Sequence, residues 1–151
     1  MKSDKEILEV YRYIKNKVLP ELNVTYELEK KILEKKNILN KNKCNSQIAG
    51  LYNGYHEYVS SMWESIYSSP EEYDNTIKNI KIIQSGKTVT PNATEIGQIV
   101  EQFCMALDTA VVSILWYYSG NGTKESADKI HDASIGFMLK IMDIIDTKYI
   151  K

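Results

Sequence analysis

Arginine is nearly missing from this sequence: Arg12 stands alone beside eighteen lysines. The guanidinium fork grips phosphates and base edges in two-point contacts, so its scarcity speaks against specific nucleic-acid recognition. Proline and glycine are scarce too, three and seven in 151 residues, and breakers that rare imply long regular elements. The two cysteines, Cys44 and Cys104, have no CxxC spacing and read as free thiols. No apolar run nears the ~20 residues that cross a bilayer. The most apolar stretch, Met105 to Tyr118, is interrupted by Asp108, Thr109 and Ser113. The opening MKSDKEILEVYRYIKNK is charged throughout and lacks the apolar centre of a signal peptide. A cytoplasmic protein with no nucleic-acid and no membrane partner is therefore expected.

What is present is helical punctuation. Ser3 and Glu6 form a capping box that opens a helix striped by Ile7, Tyr11, Ile14 and Val18. Pro20 is expected to break or kink it near Leu19. A second helix spans roughly Leu22 to Leu39 with Leu28, Ile32 and Leu39 inward, and Glu27 pairs with Lys31 on its outer face. A polar turn, Asn40 to Asn45, follows. The third helix is predicted from about Ser46 to Tyr67, striped by Ile48, Tyr52, Tyr55, Val59, Met62 and Ile66. Ser69, Pro70 and Glu72 then supply an N-cap, an N1 proline and an N3 glutamate for a shorter helix ending near Ser85-Gly86. A fifth helix is predicted to start near Asn92 with Glu95 in the capping-box position. Ile96, Ile99, Phe103, Leu107, Val111, Ile114 and Tyr118 stripe it, with Val100, Ala110, Val112 and Leu115 widening the stripe until little of the helix is left for solvent. After the turn Ser119 to Gly122, Thr123 caps a sixth helix whose Ile130, Phe137, Ile141 and Ile144 are expected to face inward, with Met138 and Ile145 alongside. The expectation is an all-α single domain, 1–151, built as a bundle of about six helices with the last two an antiparallel hairpin.

No catalytic constellation emerges. The G-x-S-x-G, P-loop and G-x-G-x-x-G patterns are all missing. Asp128 and His131 share a helix face at metal-ligand spacing, but His56 is the only other histidine and no second E-x-x-H element completes a di-metal bundle. The expectation is a non-enzyme with no cofactor and no metal. Asp108 lies among Met105, Leu107, Val111 and Val112. Either it occupies a narrow polar face with Gln98, Glu101 and Gln102, or Glu101, Asp108 and His131 form an internal polar network.

Charge is uneven. Residues 1–45 hold eleven basic and seven acidic side chains; residues 46–151 hold eight and thirteen. From Ile48 through Ile77, thirty residues, there is no lysine or arginine. That interval carries a dense set of tyrosines interleaved with acids. Glu57, Tyr58, Glu64, Tyr67, Glu71, Glu72, Tyr73 and Asp74 are the candidate partner-binding residues, because rigid amphipathic phenols on an acidic background suit a basic protein. A plain solvated helix face is the competing reading.

The segment ALDTAVVSILWYYSGNGTKESADKIHDASIGFMLKIMDIID, within Gly97 to Asp146, has a small-residue-rich helix containing Asp108, a short turn and an S-A-x-x-I-x-D-A-S helix. It resembles the second half of a family of uncharacterised all-helical bacterial proteins, related to immunity proteins of polymorphic and contact-dependent toxin systems. The resemblance implies a helical bundle in the cytoplasm that binds and neutralises a toxin domain, of the basic nuclease type. Beside it stand a dimerising helical scaffold, in which the partner is a second copy, and a metal-dependent helical enzyme.

Overall fold

The computed structural model describes residues 1–20, 57–82, 93–118 and 123–150. Among them every regular element is helical and no strand occurs. Helix α1 is Asp4–Tyr13, continued by a π-helical turn, Ile14–Val18. Helix α2 covers 57–64. Helices α3, α4 and α5 are Pro70–Ile82, Glu95–Tyr118 and Lys124–Lys148. The predicted second helix, the polar turn after it with Cys44, the start of the third helix, the end of the fourth and the 119–122 turn lie outside the described residues. None of the described helices is long and apolar enough to cross a membrane.

The capping residues act as their chemistry requires. The Ser3 hydroxyl accepts from the Glu6 amide and the Glu6 carboxylate accepts from the Ser3 amide at 3.0 Å, closing both sides of the box. At α3 the Glu72 amide donates to Ser69 Oγ, and at α5 the Ser126 amide donates to Thr123 Oγ1. Helix α4 is capped differently from the sequence-based expectation. Thr94, not Asn92, accepts the first-turn amide, that of Gly97 at 3.0 Å, so the helix begins two residues later. A Cβ on Gly97 would stand 2.6 Å from the Met1 sulfur, and the bare glycine lets the chain start lie against α4.

Residues 19–20 are helical beyond the π turn, so the last described residue of this segment, Pro20, is itself in helical conformation. A proline ring collides with the carbonyl four residues back in a straight α-helix, and the widened turn directly before it relieves that collision. Helix α2 stops three residues earlier than expected. The amides of Ser65, Ile66 and Tyr67 bond back only three residues, to Met62, Trp63 and Glu64, and this tight turn leads into Ser68, Ser69 and Pro70.

The core forms where α1, α2, α4 and α5 meet. Ile7, Tyr11, Ile14 and Val18 are buried to 1% exposure or less, so the whole α1 stripe faces inward. Burying each such aliphatic side chain contributes about 1.5–3 kcal/mol. They meet Val59, Trp63 and Ile66 from α2 and its turn, Val100, Phe103 and Leu107 from α4, and Met138, Ile141 and Ile145 from α5. The Tyr11 ring stands edge-on to Phe103 at 5.1 Å, and its hydroxyl donates to Asp146 Oδ1 at 2.8 Å. Lys15 Nζ reaches the other oxygen of Asp146. Burial, helped by the hydrogen bond and the charge of Asp146, raises the Tyr11 phenol far above its ordinary value.

Helices α4 and α5 pack along one another. Lys148, in the last turn of α5, pairs with Glu95, in the first turn of α4. The inward face of α5 differs in part from the expected one. Ala127, Met138, Ile141 and Ile145 are buried, whereas Ile130, Phe137 and Ile144 are 40%, 49% and 47% exposed. Two apolar stripes run along this helix, and α4 takes the one that starts at the small Ala127.

Candidate functional site: an acidic, tyrosine-edged surface

The turn that ends α2 places the aromatic residues of the candidate surface in two layers. Beneath lies a buried chain. Trp63 Nε1 donates to the Tyr67 hydroxyl at 3.0 Å, and the Tyr67 hydroxyl donates to Glu101 Oε2 at 2.5 Å. Glu101 is fully buried, and Tyr67 is 2% exposed. Tyr67 therefore leaves the candidate docking set, because its phenol has turned inward to donate to a buried carboxylate. Of the two readings offered for Glu101, a narrow polar face of α4 or an internal polar network, its burial agrees with the second. Tyr73, half-buried, covers this layer, with its ring 5.7 Å from Trp63 and 5.9 Å from Tyr67. Burial and the nearby charges of Asp108, Glu64 and Asp74 raise the Tyr73 phenol.

Above that layer, Glu57, Tyr58, Glu71 and Asp74 are exposed and Glu64 is partly so. Glu72 is engaged within the fold: its carboxylate meets the Met1 ammonium at 2.5 Å and accepts from the Ser68 amide at 3.0 Å. Burial works against that carboxylate, but these bonds outweigh it and hold the group below its usual range.

The sequence reading missed the contribution of α1. Lys2, just before α1, and Glu6, Glu9, Val10 and Tyr13 on its outer face meet Met62 and Ser65 across a groove of about 340 Å³. Tyr13 is 52% exposed at this groove. Tyr58 precedes Met62 by four residues and Ser65 by seven, so it continues the same stripe of α2. The available signal was Glu9 and Tyr13, four apart, both off the Ile7/Tyr11/Ile14 stripe. Glu6 is held below the ordinary carboxylate range by hydrogen bonds from the Ser3 amide and hydroxyl, with help from Lys2.

Of the internal polar residues, Glu101 and Asp108 both act on Cys104. Burial, then these two negative charges, push its thiol up strongly. A thiol so placed stays protonated and packs as a small apolar group. His131 points elsewhere, with Nδ1 2.7 Å from the Ala110 carbonyl. A carbonyl only accepts, so Nδ1 carries the proton. Among the described residues, no three His, Cys, Asp or Glu side chains are grouped to hold a metal ion.

No family model, no curated protein and no solved structure matches the chain. Function has to be read from the surface itself. Its make-up is acids on α2 and the first turns of α3, ahead of Lys78, two exposed tyrosines, and a groove whose lining includes Met62, Val10 and Lys2.

Proposed function

We propose that this protein binds a basic protein partner through the surface formed by Glu57, Tyr58, Glu64, Glu71 and Asp74, extended by Glu9 and Tyr13. The observation that carries this reading is the outward placement of these acids on a stretch with no lysine or arginine from 48 to 77. A predominantly acidic patch accelerates encounter with a complementary surface, and tyrosine adds rigid contact area at low entropic cost. The partner we infer is a toxin domain of basic, nuclease type. The protein would act in the cytoplasm as its immunity protein, covering the active site or the path of the substrate. The resemblance of residues 97–146 to helical relatives of immunity proteins supports this choice, and no chemistry by the protein itself is required.

The same reading takes the whole chain as a bundle of about six helices, with α4 and α5 an antiparallel hairpin. The contacts of Glu95 with Lys148 and of Ala110 with His131 support opposite chain directions. The test of function is affinity capture from the native host with wild-type protein and with Glu57→Lys/Asp74→Lys as control. The expected result is a basic protein retained by wild type, lost by the variant, and toxic to cells unless this protein is co-expressed. Capture that does not depend on the two acids would reject the surface. A captured partner that is harmless to cells would reject the toxin assignment.

A further inference from the structure

Helix α5 carries on its outer side a second apolar stripe that the core does not use. Ile130, Phe137 and Ile144 are spaced by seven, so they lie along one side of the helix over about 21 Å, and each is at least 40% exposed. A flanking row one residue earlier in each case, about 100° round the helix, holds Lys129, Gly136 and Asp143, all exposed, with the exposed Lys140 between the two rows. The order is cation, glycine, anion. Read from either end about the Gly136–Phe137 step, the helix presents an isoleucine with a charge, then the phenylalanine with the glycine, then an isoleucine with the opposite charge.

We propose that this stripe pairs with the same stripe of a second copy, the two α5 helices running antiparallel about a twofold axis through the Gly136–Phe137 step. In that arrangement Phe137 meets its counterpart, Ile130 meets Ile144 at both ends, and Lys129 faces Asp143 twice. Parallel pairing would put lysine on lysine and aspartate on aspartate, which is unfavourable. Gly136 falls at the axis, and nothing lies within 4 Å of where its Cβ would be, so the two backbones have room to approach. Lys129 already meets Glu125 at 3.3 Å, but that pair is three-quarters or more exposed on both sides and exchanges readily. A groove of about 310 Å³ between α4 and α5, lined by Met105, Ala106, Ala133 and Phe137 among others, adjoins the stripe and gives the pair further apolar area. A strip this short implies a dissociable dimer, with a Kd on the order of micromolar or weaker. This pairing does not depend on the acidic surface or on any toxin.

The test uses the full chain carrying Cys44→Ser, which leaves only the buried Cys104, and single cysteines added on α5. Under mild oxidation Gly136→Cys should give a disulfide-linked dimer. Ile130→Cys and Ile144→Cys should stay monomeric separately and cross-link when mixed. Adding Phe137→Glu to Gly136→Cys should abolish the cross-link, with helix content by circular dichroism unchanged because Phe137 lies outside the core. Sedimentation of the protein without added cysteines should show dimer growing with concentration, and Phe137→Glu should weaken it at least tenfold. Cross-linking of Ile130→Cys with itself would overturn the antiparallel pairing. A monomer at every concentration, with no cross-link at Gly136→Cys, would overturn the dimer. If hydrogen exchange within 21–56 then rose in Phe137→Glu, that segment of the same chain would be the occupant.

Discussion

The Tyr67–Glu101 contact carries the greatest consequence at the scale of one side chain. A fully buried carboxylate that loses a hydrogen-bond donor bears a desolvation cost of about 1–3 kcal/mol. Tyr67→Phe should therefore lower stability by that amount in urea melts, although phenylalanine fills nearly the same space. Glu101→Gln should make the loss from Tyr67→Phe smaller, because a neutral amide is cheaper to strand. A double-mutant cycle with no coupling between the two would contradict the contact. Tyr11 supplies a pH dependence. A phenol whose folded-state pKa stands above its ordinary 10.0 favours the fold while protonated. That stability is complete below about pH 10 and is lost as pH rises toward the folded value. Thermal melts should thus fall from about pH 10 upward, and Tyr11→Phe should flatten that decline. The sequence placed Tyr11 inward and offered Glu101 for an internal polar network, but showed a partner for neither. Tyr67 and Glu101 are 34 positions apart, and no local pattern announces that two helices will bring them together.

At the scale of the element, legibility divides by the range of the interaction. The Ser3/Glu6 box, the Ser69–Pro70–Glu72 start and the Thr123 cap each depend on atoms within three residues, and the sequence showed all three. Ser3→Ala should cost about 1 kcal/mol by the same melts, since it strands first-turn amides of α1. A change within error would mean that the box is not formed in solution. The α1 stripe was legible for a related reason: Ile7, Tyr11, Ile14 and Val18 are its only apolar series with helical period. The start of α4 was misplaced because Asn92 and Thr94 are both competent cap residues by type, and the contact of Thr94 with Asp4 on another helix is not a local pattern. The face of α5 was misread in part for a similar reason. Ile141, with Met138 and Ile145 alongside, was read correctly and is buried. Ile130, Phe137 and Ile144 share the helical period equally well but lie outside, while the small Ala127 packs inward. Where a helix has two apolar stripes, its neighbours decide which one is inside.

At the scale of the whole molecule, the charge asymmetry becomes a shape. The aromatic residues of 57–74 sort by depth: Trp63 and Tyr67 inward, Tyr73 between, Tyr58 outward, and acids around the outer rim. Composition had identified the segment but could not assign these depths, because a tyrosine is equally at home in a core and on a surface. It also missed Glu9 and Tyr13, which join the surface only because α1 lies across α2. The acids Glu57, Glu71 and Asp74 are exposed and make no contribution to the core. Reversing them should keep the fold, at a cost of about 0.3–1 kcal/mol for Glu71 in the first turn of α3, while removing the attraction for a basic partner.

The most direct measurement is therefore a binding titration of the captured partner against wild type and against Glu57→Lys/Glu71→Lys/Asp74→Lys, at low and at physiological salt. The expected result is an association rate at least tenfold slower for the variant, a wild-type rate that falls steeply with salt, and thermal melts that show both proteins folded. Equal rates and equal salt dependence, with both proteins folded, would contradict the proposed surface.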